Sequence, residues 1–118
     1  MNETVEEKSF QFAVRIVNAY KYLTNSKKEF VMSKQLIRCG SSIGANIAEA
    51  QQAQSRADFI SKLNIALKEA YETDYWLRLL NATDFLSDLM FSSLVDDCRE
   101  IEKMLTSIIK SSKNQPAE

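Results

Sequence analysis

Both glycines of this 118-residue chain fall in one stretch, Arg38 to Ala50, and its one proline is Pro116. Tight turns lean on those two residue types, so the chain lacks the material for a sheet of several hairpins. In their place run long segments rich in Ala, Leu, Lys, Glu and Ser, with apolar residues recurring at three and four. The predicted fold is all-α, a single domain over 1–118 with one core.

On a helix, Leu36, Gly40, Ile43, Gly44 and Ile47 share an arc, and two glycines four apart admit a close neighbour. The opposite side carries Gln35, Arg38, Ser42, Asn46 and Glu49, flanked by Cys39, Ala45 and Ala50. A solvated face normally holds several Lys and Glu. These short polar groups read instead as a second contact face between helices or subunits, a plain solvated stripe being the alternative. Arg38 and Glu49 lie about 16 Å apart along the helix and cannot pair. Each needs another partner, and Glu69 and Glu72 are candidates for Arg38.

Helices are expected at about 6–23, 27–53, 56–81 and 87–110, with a disordered tail at 111–118. Ser26 to Glu29 matches a capping box for the second helix. Ser55 with Asp58 marks the start of the third, and Ser87 or Thr83 the fourth. Inward residues on the first helix are Phe10, Ala13, Val17, Tyr20 and Leu23. On the third they include Leu63, Ala66, Ala70, Leu77 and Leu80; on the fourth, Leu94, Cys98, Ile101, Leu105 and Ile108. Short links favour an antiparallel up-down-up-down four-helix bundle.

The chain has no histidine, the commonest general base and metal ligand. Ser41, Ser42, Cys39 and Cys98 therefore lack an evident activating partner, and no catalytic, cofactor or metal residue is assigned. Glu69 and Glu72 are three apart but carry no His beside them, unlike a bundle metal site. The cysteines read as small buried side chains in a reducing compartment. Apolar runs are far shorter than a membrane span, and the acidic N-terminus is no signal peptide. A soluble, cytoplasmic, non-enzymatic protein with no small-molecule substrate is expected.

Net charge is −1, but it is unevenly spread. Residues 15–68 hold nine basic against three acidic residues, and residues 69–118 five against ten. A folded bundle could thus present a basic end or side. Arg15, Lys21, Lys27, Lys28 and Lys34 are its candidate phosphate contacts, with a solvated helix end as the plainer reading of the lysines. Tyr71, Tyr75 and Trp76 lie among Glu72, Asp74 and Arg78, which favours packing over base stacking.

At Arg38, Ser42, Ile43, Asn46, Ile47, Ala48 and Glu49 the chain resembles a family signature of the form R-x-x-x-S-I-x-x-N-I-A-E-G, with Ala50 at its final glycine. Ser55 to Phe59 and the set Leu63, Ala66, Glu69, Ala70 are similar to that family's third helix. The family is a bacterial one of small four-helix bundles. It includes proteins encoded in intervening sequences of 23S rRNA genes and the accessory variability proteins of diversity-generating retroelements. The resemblance implies a homopentameric ring; its retroelement members are similar to a basic barrel that binds nucleic acid and a reverse transcriptase. Two expectations follow: a ring-forming factor that meets RNA or a nucleoprotein through the basic set, or a protein scaffold that touches no nucleic acid.

Overall fold

Where the first helix gives way to the second is decided by a glutamate, at a different place from the one the capping pattern predicts. The computed structural model describes residues 3–115. In it α1 spans Val5–Asn25, and the Thr4 hydroxyl accepts the Glu7 amide at its start. Ser26 closes α1, its amide donating to the Tyr22 carbonyl. Lys28 follows with a left-handed backbone, φ 55°. The buried Glu29 carboxylate then accepts the amides of Val31, Met32 and Ser33 at 3.1, 3.0 and 2.7 Å. Those are free donors of the first turn of α2, which runs Met32–Ala50 instead of 27–53. The Glu29 amide donates to the Leu23 carbonyl at 2.9 Å and not to the Ser26 hydroxyl, so the serine half of the predicted box never forms.

The other two starts use a serine. Ser55 accepts the Asp58 amide at the head of α3 (Arg56–Ala82), and Ser87 accepts the Met90 amide at the head of α4 (Asp88–Lys113). Thr83 instead follows the end of α3. Residues 111–113 thus belong to α4, and 116–118 of the expected tail lie outside the described residues. Between α3 and α4 the chain turns at Asp84, φ 68°, and Asn81 donates to the Leu86 carbonyl and the Asp88 carboxylate.

Among the described residues these are the four helices, and there is no strand. Consecutive helices pack on one another and α1 closes onto α4, while the diagonal pairs stay apart. The resulting four-helix bundle measures 52 × 24 × 23 Å. Phe12, Ile16, Leu23, Leu36, Ile43, Ile47, Leu63, Leu77, Ile101 and Leu105 fill its core. Burying each such side chain contributes about 1.5–3 kcal/mol. Gly40 sets the α1–α2 spacing: a Cβ there would stand 2.8 Å from Ile16 Cγ2.

One face is rotated from expectation. On α1 the buried residues are Val5, Ser9, Phe12, Ile16, Ala19 and Leu23. Phe10 is 67% exposed, Val14 43% and Val17 36%. The helix has two apolar stripes, and Phe10 and Val17 belong to the outward one.

Candidate functional surfaces

Arg38 reaches from α2 to α3. Its guanidinium meets Glu69 at 3.5 Å, pairs with Glu72, and approaches Gln35 at 3.4 Å. Trp76 Nε1 donates to the same Glu72 carboxylate at 3.3 Å. Further along α2 the ladder breaks into pieces. The Ser42 hydroxyl donates to the Arg38 carbonyl and Asn46 Nδ2 to the Ser42 carbonyl, both within their own helix. Glu49 meets Lys62 at 3.7 Å. The structure therefore joins Gln35, Arg38 and Glu69, and leaves Ser42, Asn46 and Glu49 outside that cluster. With half of Arg38 in solvent, the pair adds at most about 1 kcal/mol.

The candidate phosphate contacts also divide. Arg15 grips α4, meeting Asp97 at 2.6 Å and both the carbonyl and hydroxyl of Ser93. Lys8 joins it through Asp97 and Glu100. Lys21, Lys27, Lys28 and Lys34 are exposed and make no ion pair among the described residues. Lys27 and Lys28 follow the carbonyl end of α1 rather than opening α2, so the local dipole favours their charge.

Beside the outward stripe of α1 lies a groove of about 530 Å³, floored by Ala13, Gly44, Ala45 and Ala48 and edged by Phe10, Glu6 and Gln51. Sequence reasoning missed it by assigning Phe10 to the core. The detectable signal was the second run at three and four through residues 5, 9, 12, 16, 19 and 23.

A third arrangement joins α3 to α4. Asp74, buried, accepts Arg99 Nε at 3.0 Å and Arg78 Nε at 3.1 Å. Burial alone would raise its carboxyl; Arg99, Glu102 and Arg78 together hold it below the ordinary value. Burial, with Asp74 alongside, pushes the Glu102 carboxyl up to about 7. Donor atoms of Asp74, Cys98 and Glu102 lie within 4.8 Å of one another. As a metal site they fit poorly, because both arginines already hold Asp74.

The Cys98 thiol donates to the Ala70 carbonyl, and burial with nearby carboxylates raises its pKa far above the ordinary value. Burial also pushes Cys39 up to about 11. Neither thiol supplies a thiolate nucleophile near neutrality. Ser41 and Ser42 donate to backbone carbonyls. No helix among the described residues is long and apolar enough to cross a membrane.

A family model described as 23S rRNA-intervening sequence protein matches residues 1–107. The chain belongs to that family. A crystal structure of a protein with unknown function from the S23 ribosomal protein family of Bacteroides thetaiotaomicron is 64% identical. It superposes with a TM-score of 0.90 over 91% of this chain and 99% of that one. Among curated proteins no match is found. In this member of the intervening-sequence family, the family-like residues Arg38, Ser42, Asn46 and Glu49 brace α2 on itself and on α3.

Proposed function

We propose that this protein is a non-enzymatic, cytoplasmic assembly protein whose up-down-up-down bundles pack into a homopentameric ring and present a basic surface to RNA or a nucleoprotein. The observation that carries the reading is the outward apolar stripe of α1 beside a groove of small side chains. A second apolar face on a helix already buried along its first has the composition of a subunit interface. Phe10 from one copy, seated over Gly44, Ala45 and Ala48 of the next, would bury an exposed ring against nearly bare backbone. The ring size comes from the family resemblance.

Antiparallel packing is supported by register. Lys8 meets Asp97 and Glu100, whereas Arg15, two turns later on α1, meets Asp97 and the earlier Ser93 on α4. Absence of catalysis is supported by the neutral, buried thiols and by a chain without histidine. The four unpaired lysines near the α1–α2 link support the nucleic-acid part. A protein scaffold without RNA is the rival, and the same apolar stripe suits it.

Thiol labelling tests the interface. Cys39 and Cys98 are buried, so a cysteine placed at Ala45 becomes the reporter. Ala45→Cys is expected to label slowly in the assembled protein, and rapidly once Phe10→Glu is added. Labelling as fast as Asn64→Cys on the outer side of α3 would overturn the interface.

A further inference from the structure

Residues 69–118 hold twice as many acids as bases, yet the fold turns half of those acids away from one side. Glu69 and Glu72 face α2, where Arg38 holds them. Asp97 and Glu100 face α1, on Lys8 and Arg15. Asp74 is buried between two arginines. Along the groove of the outer α3–α4 seam, three bases stand against one acid, Glu102.

On α4, Arg99, Lys103, Lys110 and Lys113 recur at four, seven and three, which puts them on one stripe. Lys68, Tyr71, Tyr75 and Arg78 recur likewise on α3. Between the stripes runs a groove of about 550 Å³, lined by Tyr71 and by Arg99, Lys103 and Lys110. It continues past Lys110 into a depression of about 320 Å³ ending at Lys113. Tyr71 is 53% exposed and Tyr75 48%. Arg78 sits 5.7 Å over the Tyr75 ring, held there by Asp74.

We infer that the α3–α4 groove binds single-stranded RNA, with Tyr71 stacking on a base and Lys103 and Lys110 contacting phosphates, while Arg99, held by Asp74, adds its charge at the groove's edge. It rests on the nucleic-acid part of the proposed function and moves the site from the α1–α2 link to this seam. From Arg99 to Lys110 the stripe is about 16 Å long, enough for several phosphates of an extended strand. Tyr71, expected from the sequence to pack, is instead an exposed ring beside cations, and it suits a strand with free base faces, which a duplex lacks. The acid in the groove, Glu102, is only partly ionised near neutrality and repels a phosphate correspondingly little. Asp96, one turn before Arg99, bounds the basic stretch.

Anisotropy of a short fluorescent oligouridylate, titrated with the full chain at several salt concentrations, tests the site. Lys103→Glu/Lys110→Glu is expected to weaken binding at least about 10-fold and to flatten the salt slope by about 1.4, at 0.7 per phosphate. Tyr71→Ala is expected to weaken it roughly 5- to 150-fold, from the stacking range for one base, with Tyr71→Phe restoring it. Circular dichroism accompanies each variant, and Lys103→Gln/Lys110→Gln replaces the double glutamate if that one unfolds.

Wild-type protein that fails to bind at low salt overturns the nucleic-acid reading, and this site with it. Binding that survives both groove variants but is lost in Lys27→Glu/Lys28→Glu/Lys34→Glu overturns this site and keeps that reading. Polyglutamate competing as well as RNA, or duplex RNA binding as tightly as the single strand, overturns the stacked strand as the occupant.

Discussion

Gly40 and Gly44 stand one turn apart on α2, but a methyl group would meet different surroundings at each. At Gly40 it would lie 2.8 Å from Ile16 Cγ2, on a fully buried β-branched side chain that cannot swing aside. Gly40→Ala should destabilise the bundle by about 1–3 kcal/mol in urea denaturation. At Gly44 the nearest atoms are Ser9 O and Oγ at 3.4 Å, ordinary contact. Gly44→Ala should therefore be neutral or up to about 1 kcal/mol stabilising, from helix propensity alone. Equal losses at both sites would contradict this account of the α1–α2 spacing. The need for a close approach was legible from the four-residue spacing of the glycines; which one is indispensable depends on Ile16, whose position no local pattern gives.

Titration at single residues has a definite sign. Burial and Asp74 raise the folded value of Glu102 from 4.5 to about 7. Its contribution to stability is then full below 4.5 and fades as pH rises through 7. Asp74 and Glu29 act oppositely. Burial would raise both, but Arg99 at Asp74 and the Met32, Ser33 and Val31 amides at Glu29 hold them low, so their contributions fade as pH falls into the acid range. Stability should peak in mildly acidic solution. Glu102→Gln, at one fixed protein concentration, should flatten the decline between pH 4.5 and about 7. Solvent screening at this half-buried site limits the effect to on the order of 1 kcal/mol. An unchanged pH profile would remove Glu102 from the explanation.

At the scale of the helix, some signals have only one reading and others two. Ser55 follows a break in the apolar rhythm and opens α3 where expected, whereas the fourth start had two candidates, Thr83 and Ser87, of which Ser87 opens α4 and Thr83 ends α3. Ser26 could either end α1 or begin α2, and the capping-box pattern of Ser26 to Glu29 does not tell the two apart. What decided the matter was Glu29 turning its carboxylate onto three amides, just after Lys28 takes the left-handed conformation. Lys28→Gly should relieve that strain and raise stability by about 1 kcal/mol, read as a shift in the denaturation midpoint. Glu29→Ala should cost about 1–2 kcal/mol through lost capping. A loss under a few tenths would mean that water replaces the carboxylate.

α1 shows the same ambiguity in its phase. Phe10, Ala13, Val17 and Tyr20 keep helical spacing as faithfully as Ser9, Phe12, Ile16 and Ala19 do. Periodicity alone cannot tell which faces the core when both stripes are apolar. The presence of two stripes is itself the useful signal, because a helix needs only one to fold. Phe12→Ala should cost about 3–5 kcal/mol, whereas a polar substitution at exposed Phe10 should change the stability of an isolated bundle by less than about 0.5 kcal/mol.

For the molecule as a whole, the all-α class and the family were legible because few turns and a compact motif constrain the chain strongly. Surface charge was not. The balance of a segment says nothing about which helix each side chain faces, and α1 carries Arg15 toward Asp97 while α3 and α4 turn their acids inward or sideways. The most direct test of the account is the molar mass of the protein by light scattering, beside Phe10→Glu and Ala45→Arg. The account predicts a multiple of the chain mass for the wild type, five by family resemblance, and folded single chains for both variants. A wild type that stays at one chain mass, or variants that assemble as it does, would contradict the claim that the outward stripe of α1 is where copies meet.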